Sequence, residues 1–87
     1  MTSPYRVVFE KKYIKDLKQI PKKYHASIRE EIGFLEDDPR NQRCIKLKGY
    51  ANLYRVRVGP YRIIYSIHDI LVTVYVLEIE HRREVYR

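Results

Sequence analysis

The sequence predicts a two-layer α+β domain: a strand, two helices and then three antiparallel strands, with the helical hairpin packed on one face of the sheet. Three observations predict it. Apolar residues recur at three- and four-residue spacing from Tyr13 to Leu35, the period of amphipathic helices. From Leu53 they alternate with cations at two-residue spacing, the period of a half-buried strand. With 87 residues, the chain can bury one modest core and no more, so residues 1–87 read as a single domain. A hydrophobic fraction of 45% beside 33% charged residues excludes wholesale disorder.

Tyr5, Arg6, Val7, Val8 and Phe9 form a β-branched and aromatic run, an opening strand. Tyr13, Ile14, Leu17 and Ile20 then make an apolar helical stripe with lysines between them. Pro21 interrupts it. A second helix starts near Lys22, carries Tyr24, Ile28, Ile32 and Leu35 on one face, and stops at Asp38-Pro39, because a residue before proline avoids the helical region. Residues 41–52 lack periodicity and read as a basic connection with room for a short extended piece. Residues 53–58 are a strand. Gly59-Pro60 makes a tight turn, glycine supplying the positive φ of its first central position and proline the negative φ that follows. Residues 61–67 return, His68-Asp69 turn again, and the nearly continuous apolar run 70–79 reads as a strand placed centrally or covered on both faces. Residues 80–87 are a polar tail.

Other classes drop out. The longest nearly uncharged run, residues 63–77, is broken by His68 and Asp69 and falls short of the ~20 residues of a membrane span. The amino-terminal residues lack a secretory apolar core, so a cytoplasmic location is expected. Cys44 is the one cysteine and reads as a half-buried thiol. No Asp, Glu, His or Cys cluster has metal-ligand spacing, so no metal and no cofactor are expected.

Charge carries the functional signal. Eighteen Lys and Arg against eleven Asp and Glu give a net +7, and the acids are unevenly placed. Residues 39–68 contain none, yet carry Arg40, Arg43, Lys46, Lys48, Arg55, Arg57 and Arg62 among Tyr50, Tyr54, Tyr61 and Tyr65. Such a field attracts a polyanion. An even-length turn at Gly59-Pro60 sets Val58 opposite Tyr61, Arg57 opposite Arg62 and Val56 opposite Ile63. Opposed like charges destabilise a strand pair, and nothing nearby in the sequence offers a carboxylate. Arg55, Arg57 and Arg62 therefore cluster on the face away from the helices, where an external anion explains them; the planar guanidinium fork suits phosphate. With a second turn made of Asp69 and Ile70, His68 faces Leu71, and alternation carries Tyr75 and His81 onto the same face; a single bulge reverses this. A histidine there suits proton transfer near neutral pH.

These residues resemble the RelE branch of the RelE/ParE superfamily of toxins from bacterial and archaeal toxin-antitoxin modules. The resemblance covers nearly the whole chain: the opening strand with Phe9-Glu10-Lys11-Lys12, the hairpin closing at Asp38-Pro39-Arg40, Leu47-Lys48-Gly49, the core from Tyr54 through Gly59-Pro60-Tyr61-Arg62 to Tyr65, and the ending His81-Arg82-Arg83-Glu84-Val85-Tyr86. The string of arginine strand, glycine and Tyr-Arg-x-x-Tyr joined to that ending is the specific part.

The resemblance implies a metal-independent endoribonuclease, an mRNA interferase that enters the decoding site of the ribosome and cuts messenger RNA. In the family the ribose 2′-hydroxyl attacks the adjacent phosphate, leaving a 2′,3′-cyclic phosphate and a 5′-hydroxyl. It also implies a cognate antitoxin with an acidic tail and a hetero-oligomeric toxin-antitoxin complex. By position, Arg55, Arg57, Arg62, Arg82 and Tyr86 take the catalytic places, His81 is the candidate base or acid, and Arg40, Arg43, Lys46 and Lys48 are RNA-binding candidates. Two departures stand out. Arginines replace the lysines of the best-known member at positions 55 and 57, and arginine cannot act as a base. Glu80 stands where many relatives have glycine, which sets a carboxylate beside His81. The alternative is a ParE-like toxin of the same fold that inhibits DNA gyrase without cutting RNA.

Overall fold

The computed structural model describes residues 4–81. Its elements run β1 (Arg6–Phe9), α1 (Lys11–Lys18), a 3₁₀ turn (Lys22–Tyr24), α2 (His25–Asp37), β2 (Cys44–Lys46), β3 (Leu53–Val58), β4 (Tyr61–His68) and β5 (Thr73–His81). The strands form one sheet in the order β1-β5-β4-β3-β2. β1 runs parallel to β5 and every other pair is antiparallel. The expected two-layer α+β architecture is observed, with the opening strand at one edge and the short extended piece of the basic connection, β2, at the other.

Alternation decides what the sheet turns toward the helices. Val56, Val58, Ile63, Tyr65, Ile67, Val74, Val76 and Ile79 meet Tyr13, Ile20, Ile28, Ile32 and Leu35 in one buried cluster. Ile14 does not join its stripe and is 45% exposed, because a full turn of α1 offers room for Tyr13 and Leu17 on the sheet side and turns Ile14 outward. Lys15 and Lys18 sit in the last turn of α1, where cations suit the negative helix end. Gly59 is constrained twice: its φ is +56°, and a Cβ there would lie 3.1 Å from the Tyr24 ring, which packs edge-on against Tyr61. The β3–β4 turn is thereby docked on the 3₁₀ turn between the helices.

Two expectations about the last strand need correcting. Residues 70–72 are not strand. They form a four-residue turn with Asp69, leaving Ile70 98% and Leu71 63% exposed, and Val72 takes φ +47°, a strained value for a β-branched residue. Long-range bonds hold this turn in place of apolar burial. Asp69 accepts from Tyr5 (2.8 Å) and from both terminal nitrogens of Arg40 (2.9 and 2.8 Å), while Arg6 N–H donates to the Val72 carbonyl at 2.9 Å. At the other end of β5, Glu80 and His81 belong to the strand rather than to a polar tail. β1 stops at Phe9, and past that point the Asp16 carboxylate of α1 accepts the Ile79 N–H at 3.0 Å, closing an edge that β1 is too short to cover.

One phenol ties the two layers together. Tyr65, wholly buried in β4, donates its hydroxyl to the Pro39 carbonyl at 2.7 Å, and burial pushes its pKa far above the ordinary value, so it remains a donor at every working pH. It stacks on Tyr54 with centroids 5.8 Å apart. Tyr65→Phe keeps the ring and strands a buried carbonyl. We expect it to cost about 1–3 kcal/mol, a melting temperature lower by several degrees, since each kcal/mol is worth ~4–8 °C at this size, with an unchanged far-ultraviolet circular dichroism spectrum.

Candidate nucleic-acid interface

The two-residue turn at Gly59-Pro60 imposes the predicted register: Val58 pairs with Tyr61, Arg57 with Arg62, Val56 with Ile63 and Arg55 with Ile64. Since Val56, Val58, Ile63 and Tyr65 enter the core, Arg55, Arg57 and Arg62 stand on the opposite face, where no helix lies among the described residues. Arg57 is exposed, and Arg55 and Arg62 are half-buried. Arg55 and Arg57, two residues apart on one strand, are set about 7 Å apart. That face is not bare at its centre. Ile64 is 4% exposed between its register neighbours Arg55 and Glu78, and Ser66 is buried beside Tyr75.

β5 departs from the expected alternation, and this moves the histidine. From His68↔Thr73 to Tyr65↔Val76 the register is regular; between Tyr65 and Ile64 it shifts, and the extra residue is Leu77. Tyr75 precedes the shift and lies on the arginine face, paired with Ser66. His81 follows it, pairs with Tyr61 and turns to the helix-covered side, where its ring meets Tyr61 edge-on at 5.1 Å. There it lines a 270 Å³ cleft with Lys12, Asp16, Gln19, Ile20, Tyr61 and Ile79. The residue the bulge brings to the arginine face is Glu80, in register with Arg62. Across three strands the face thus reads Arg57, Arg62, Glu80, and the carboxylate absent from the neighbouring sequence is supplied by β5. Counting back from Ile79 finds it: an apolar residue between Glu78 and Glu80 claims the core side and sends both glutamates to the other.

The remaining basic candidates lie elsewhere. Arg40 is engaged by Asp69, donates its Nε to the Tyr54 hydroxyl at 3.3 Å and lies 5.7 Å from that ring. Arg43 lies over Phe34 at 4.6 Å and 3.6 Å from the Glu31 carboxylate. Lys46 pairs with Tyr54 on the edge strand and so shares the helix-layer side, while Lys48 is exposed in the β2–β3 connection. The acid-free stretch therefore splits: Arg55, Arg57 and Arg62 converge on one face, and Arg40, Arg43 and Lys46 lie toward the other layer. Arg82 and Tyr86 are outside the described residues. Cys44 is half-buried, with its thiol pKa raised chiefly by burial, which disfavours a reactive thiolate. Among the described residues no group of three or more His, Cys, Asp or Glu side chains is placed to hold a metal ion, and no helix is long and apolar enough to cross a membrane.

A helical hairpin over one face of a five-stranded sheet is a fold shared with toxins of toxin-antitoxin modules. Residues 7–86 match the family described as the ParE toxin of type II toxin-antitoxin system, parDE. The chain belongs to that family, and within it to the RelE type. Toxin RelE3 of Methanocaldococcus jannaschii is 33% identical over 89 residues, spanning 93% of this chain and 94% of the relative. Toxin RelG of Mycobacterium tuberculosis is 32% identical over 85 residues, spanning 97% and 98%. Among solved structures, the archaeal RelE-RelB complex from Pyrococcus horikoshii superposes with a TM-score of 0.80 at 33% identity, covering 91% of this chain and 96% of the other.

Arg40 and Tyr5 lower the Asp69 pKa to about 2, chiefly through the Arg40 hydrogen bonds. A depressed carboxylate contributes stability that is fully present above its unfolded value, ~3.9, and is lost as pH falls through the folded one. Asp69→Asn is therefore expected to melt below the parent chain at pH 7, and the gap between the two melting temperatures should close as pH falls from about 4 toward 2. An equal gap at every pH would show that the Asp69 charge does not hold the turn.

Proposed function

We propose that this toxin is a ribosome-dependent endoribonuclease that cleaves messenger RNA in the decoding site and so inhibits translation. The observation that carries the reading is the direct opposition of Arg57 and Arg62 on the face away from the helices, with Arg55 beside them. Opposing two guanidiniums costs folding energy, and a phosphodiester placed between them recovers it through charge-assisted bonds that strengthen as the attacked phosphorus gathers charge. The arginines hold charge and move no proton, because guanidinium stays protonated. By the family resemblance, Arg82 and Tyr86, outside the described residues, are further candidates for this site. His81 pairs with Tyr61 on the helix-covered side of the sheet, and no proton-transfer step is assigned to it in this reading. A site with so little proton-transfer machinery relies on the ribosome to align the 2′-hydroxyl with the scissile bond.

The partner is a cognate antitoxin, as in the RelE-RelB complex that this fold superposes on. With a net +7 concentrated on one stretch, the toxin attracts an acidic segment, and the affinity of the complex is expected to fall as ionic strength rises from low to moderate values. A salt-independent affinity removes electrostatics as the basis of recognition. The second reading, inhibition of DNA gyrase without RNA cleavage, draws on the parDE description of the matched family.

Cell-free translation with toeprinting separates the two: a nuclease leaves codon-positioned breaks, which persist on adding a chelator at magnesium levels that keep the ribosome assembled, and a gyrase inhibitor leaves none. In single-turnover cleavage on saturating ribosomes, Arg62→Ala is expected to lose on the order of 100 to 1000-fold, the usual cost of one preorganised donor. Lys18→Ala, on α1, is expected to change the rate little. The melting temperature of Arg62→Ala should stay near that of the parent chain, because relief from Arg57 offsets the loss of Glu80 as a neighbour. An Arg62→Ala chain that cuts at the parent rate, or that is inactive only because it unfolds, removes this site.

A further inference from the structure

On the described face away from the helices Arg57, Arg62 and Glu80 stand in one row, and the reaction proposed above needs a group that takes a proton from the ribose 2′-hydroxyl. We infer that Glu80 is that general base. The inference rests on the nuclease reading and adds to it the residue that moves the proton.

The geometry is specific. Glu80 is in register with Arg62, which is in register with Arg57, so the three side chains form one row across β5, β4 and β3 on one face. In-register neighbours have Cβ atoms about 4.5–5.5 Å apart, so a phosphodiester held between Arg57 and Arg62 lies within reach of the Glu80 carboxylate. The bulge at Leu77 is what directs Glu80 there and His81 away, and bulges recur where a side chain is re-aimed beside an active site. The other carboxylate on this face, Glu78, lies one row along, opposite Ile64, and is 3.7 Å from Lys12 of α1. Among the described residues, Arg62 and, beyond it, Arg57 face Glu80 from the neighbouring strands, Glu78 precedes it on its own strand with Lys12 beside that carboxylate, and Asp16 is bound to the backbone of Ile79.

The step balances without a redox partner. The 2′-oxygen forms its bond to phosphorus while its proton passes to a Glu80 carboxylate oxygen. The bond from phosphorus to the 5′-oxygen breaks, and that oxygen takes a proton from a second acid or from water. The products are a 2′,3′-cyclic phosphate and a 5′-hydroxyl. The proton on Glu80 then returns to solvent.

The test is single-turnover cleavage of messenger RNA on saturating programmed ribosomes between pH 5.5 and 8, with parent, Glu80→Gln and Glu80→His chains whose melting temperatures and ribosome co-sedimentation are measured in parallel. The parent rate should be nearly flat with pH. Glu80→Gln should bind ribosomes and lose about 100-fold or more, the usual contribution of a positioned base. Glu80→His should recover part of that loss, and its rate should climb with pH through about 6.5, the ordinary imidazole value. A carboxylate that merely balances Arg62 gives a different pattern: Glu80→Gln then changes the ribosome concentration needed for half-maximal rate but not the maximal rate, and Glu80→His stays flat. That pattern overturns the inference and leaves the nuclease reading standing. A parent chain that cuts nothing removes both. Should Glu80→Gln melt below the assay temperature, the pH profile of Glu80→His decides alone.

Discussion

Burial of Ile63, Tyr65 and Ile67 under the helical hairpin is the constraint on which the other features depend. β4 lies in the middle of the sheet, with β3 on one side and β5 on the other, and a strand whose odd-numbered residues are committed to the core has no freedom to rotate or slip. Arg62 must then face away from the helices, and the tight turn at Gly59 forces Arg57 to stand opposite it. A one-residue slip of β4 that separated the pair would expose three large apolar side chains, each worth about 1.5–3 kcal/mol when buried. The core therefore holds the arginine pair in place.

Most of the architecture was legible because it follows from local chemistry. Period-two alternation in residues 53–58, glycine before proline, and apolar residues at helical spacing up to Asp38-Pro39 each express a backbone preference within a few residues. The three arginines of the exposed face were legible for the same reason, since one short turn carries their mutual placement. What lay beyond reading depended on distant partners. Ile70, Leu71 and Val72 look like strand by composition, and Arg40, Tyr5 and the Arg6 backbone, brought from far along the chain, hold them in a turn. A single bulge at Leu77 reverses the facing of Glu80 and His81, and bulges leave little trace in composition.

Arg40 and Arg62 carry the same charge in different surroundings. Both sit in a stretch without acids, and both looked available to a polyanion. Arg40 lies where the end of α2, the start of β1 and the β4–β5 turn converge, and its fork closes on a carboxylate that joins all three. Arg62 lies on a sheet face, with Arg57 on one side and Glu80 on the other. One arginine is part of the scaffold and the other is presented to the exterior; the distinction rests on where Asp69 and Glu80 are delivered in space.

β2 has three residues, Cys44–Lys46, and forms the outer border of the sheet beyond β3. A border strand presents unpaired backbone groups that invite a foreign strand and, through it, polymerisation. Here the invitation is brief. Three residues offer little ladder, Lys46 adds a positive charge to it, and at the opposite border Asp16 of α1 occupies the Ile79 N–H beyond the end of β1. Short, charged borders of this kind disfavour edge-to-edge association between copies of a sheet.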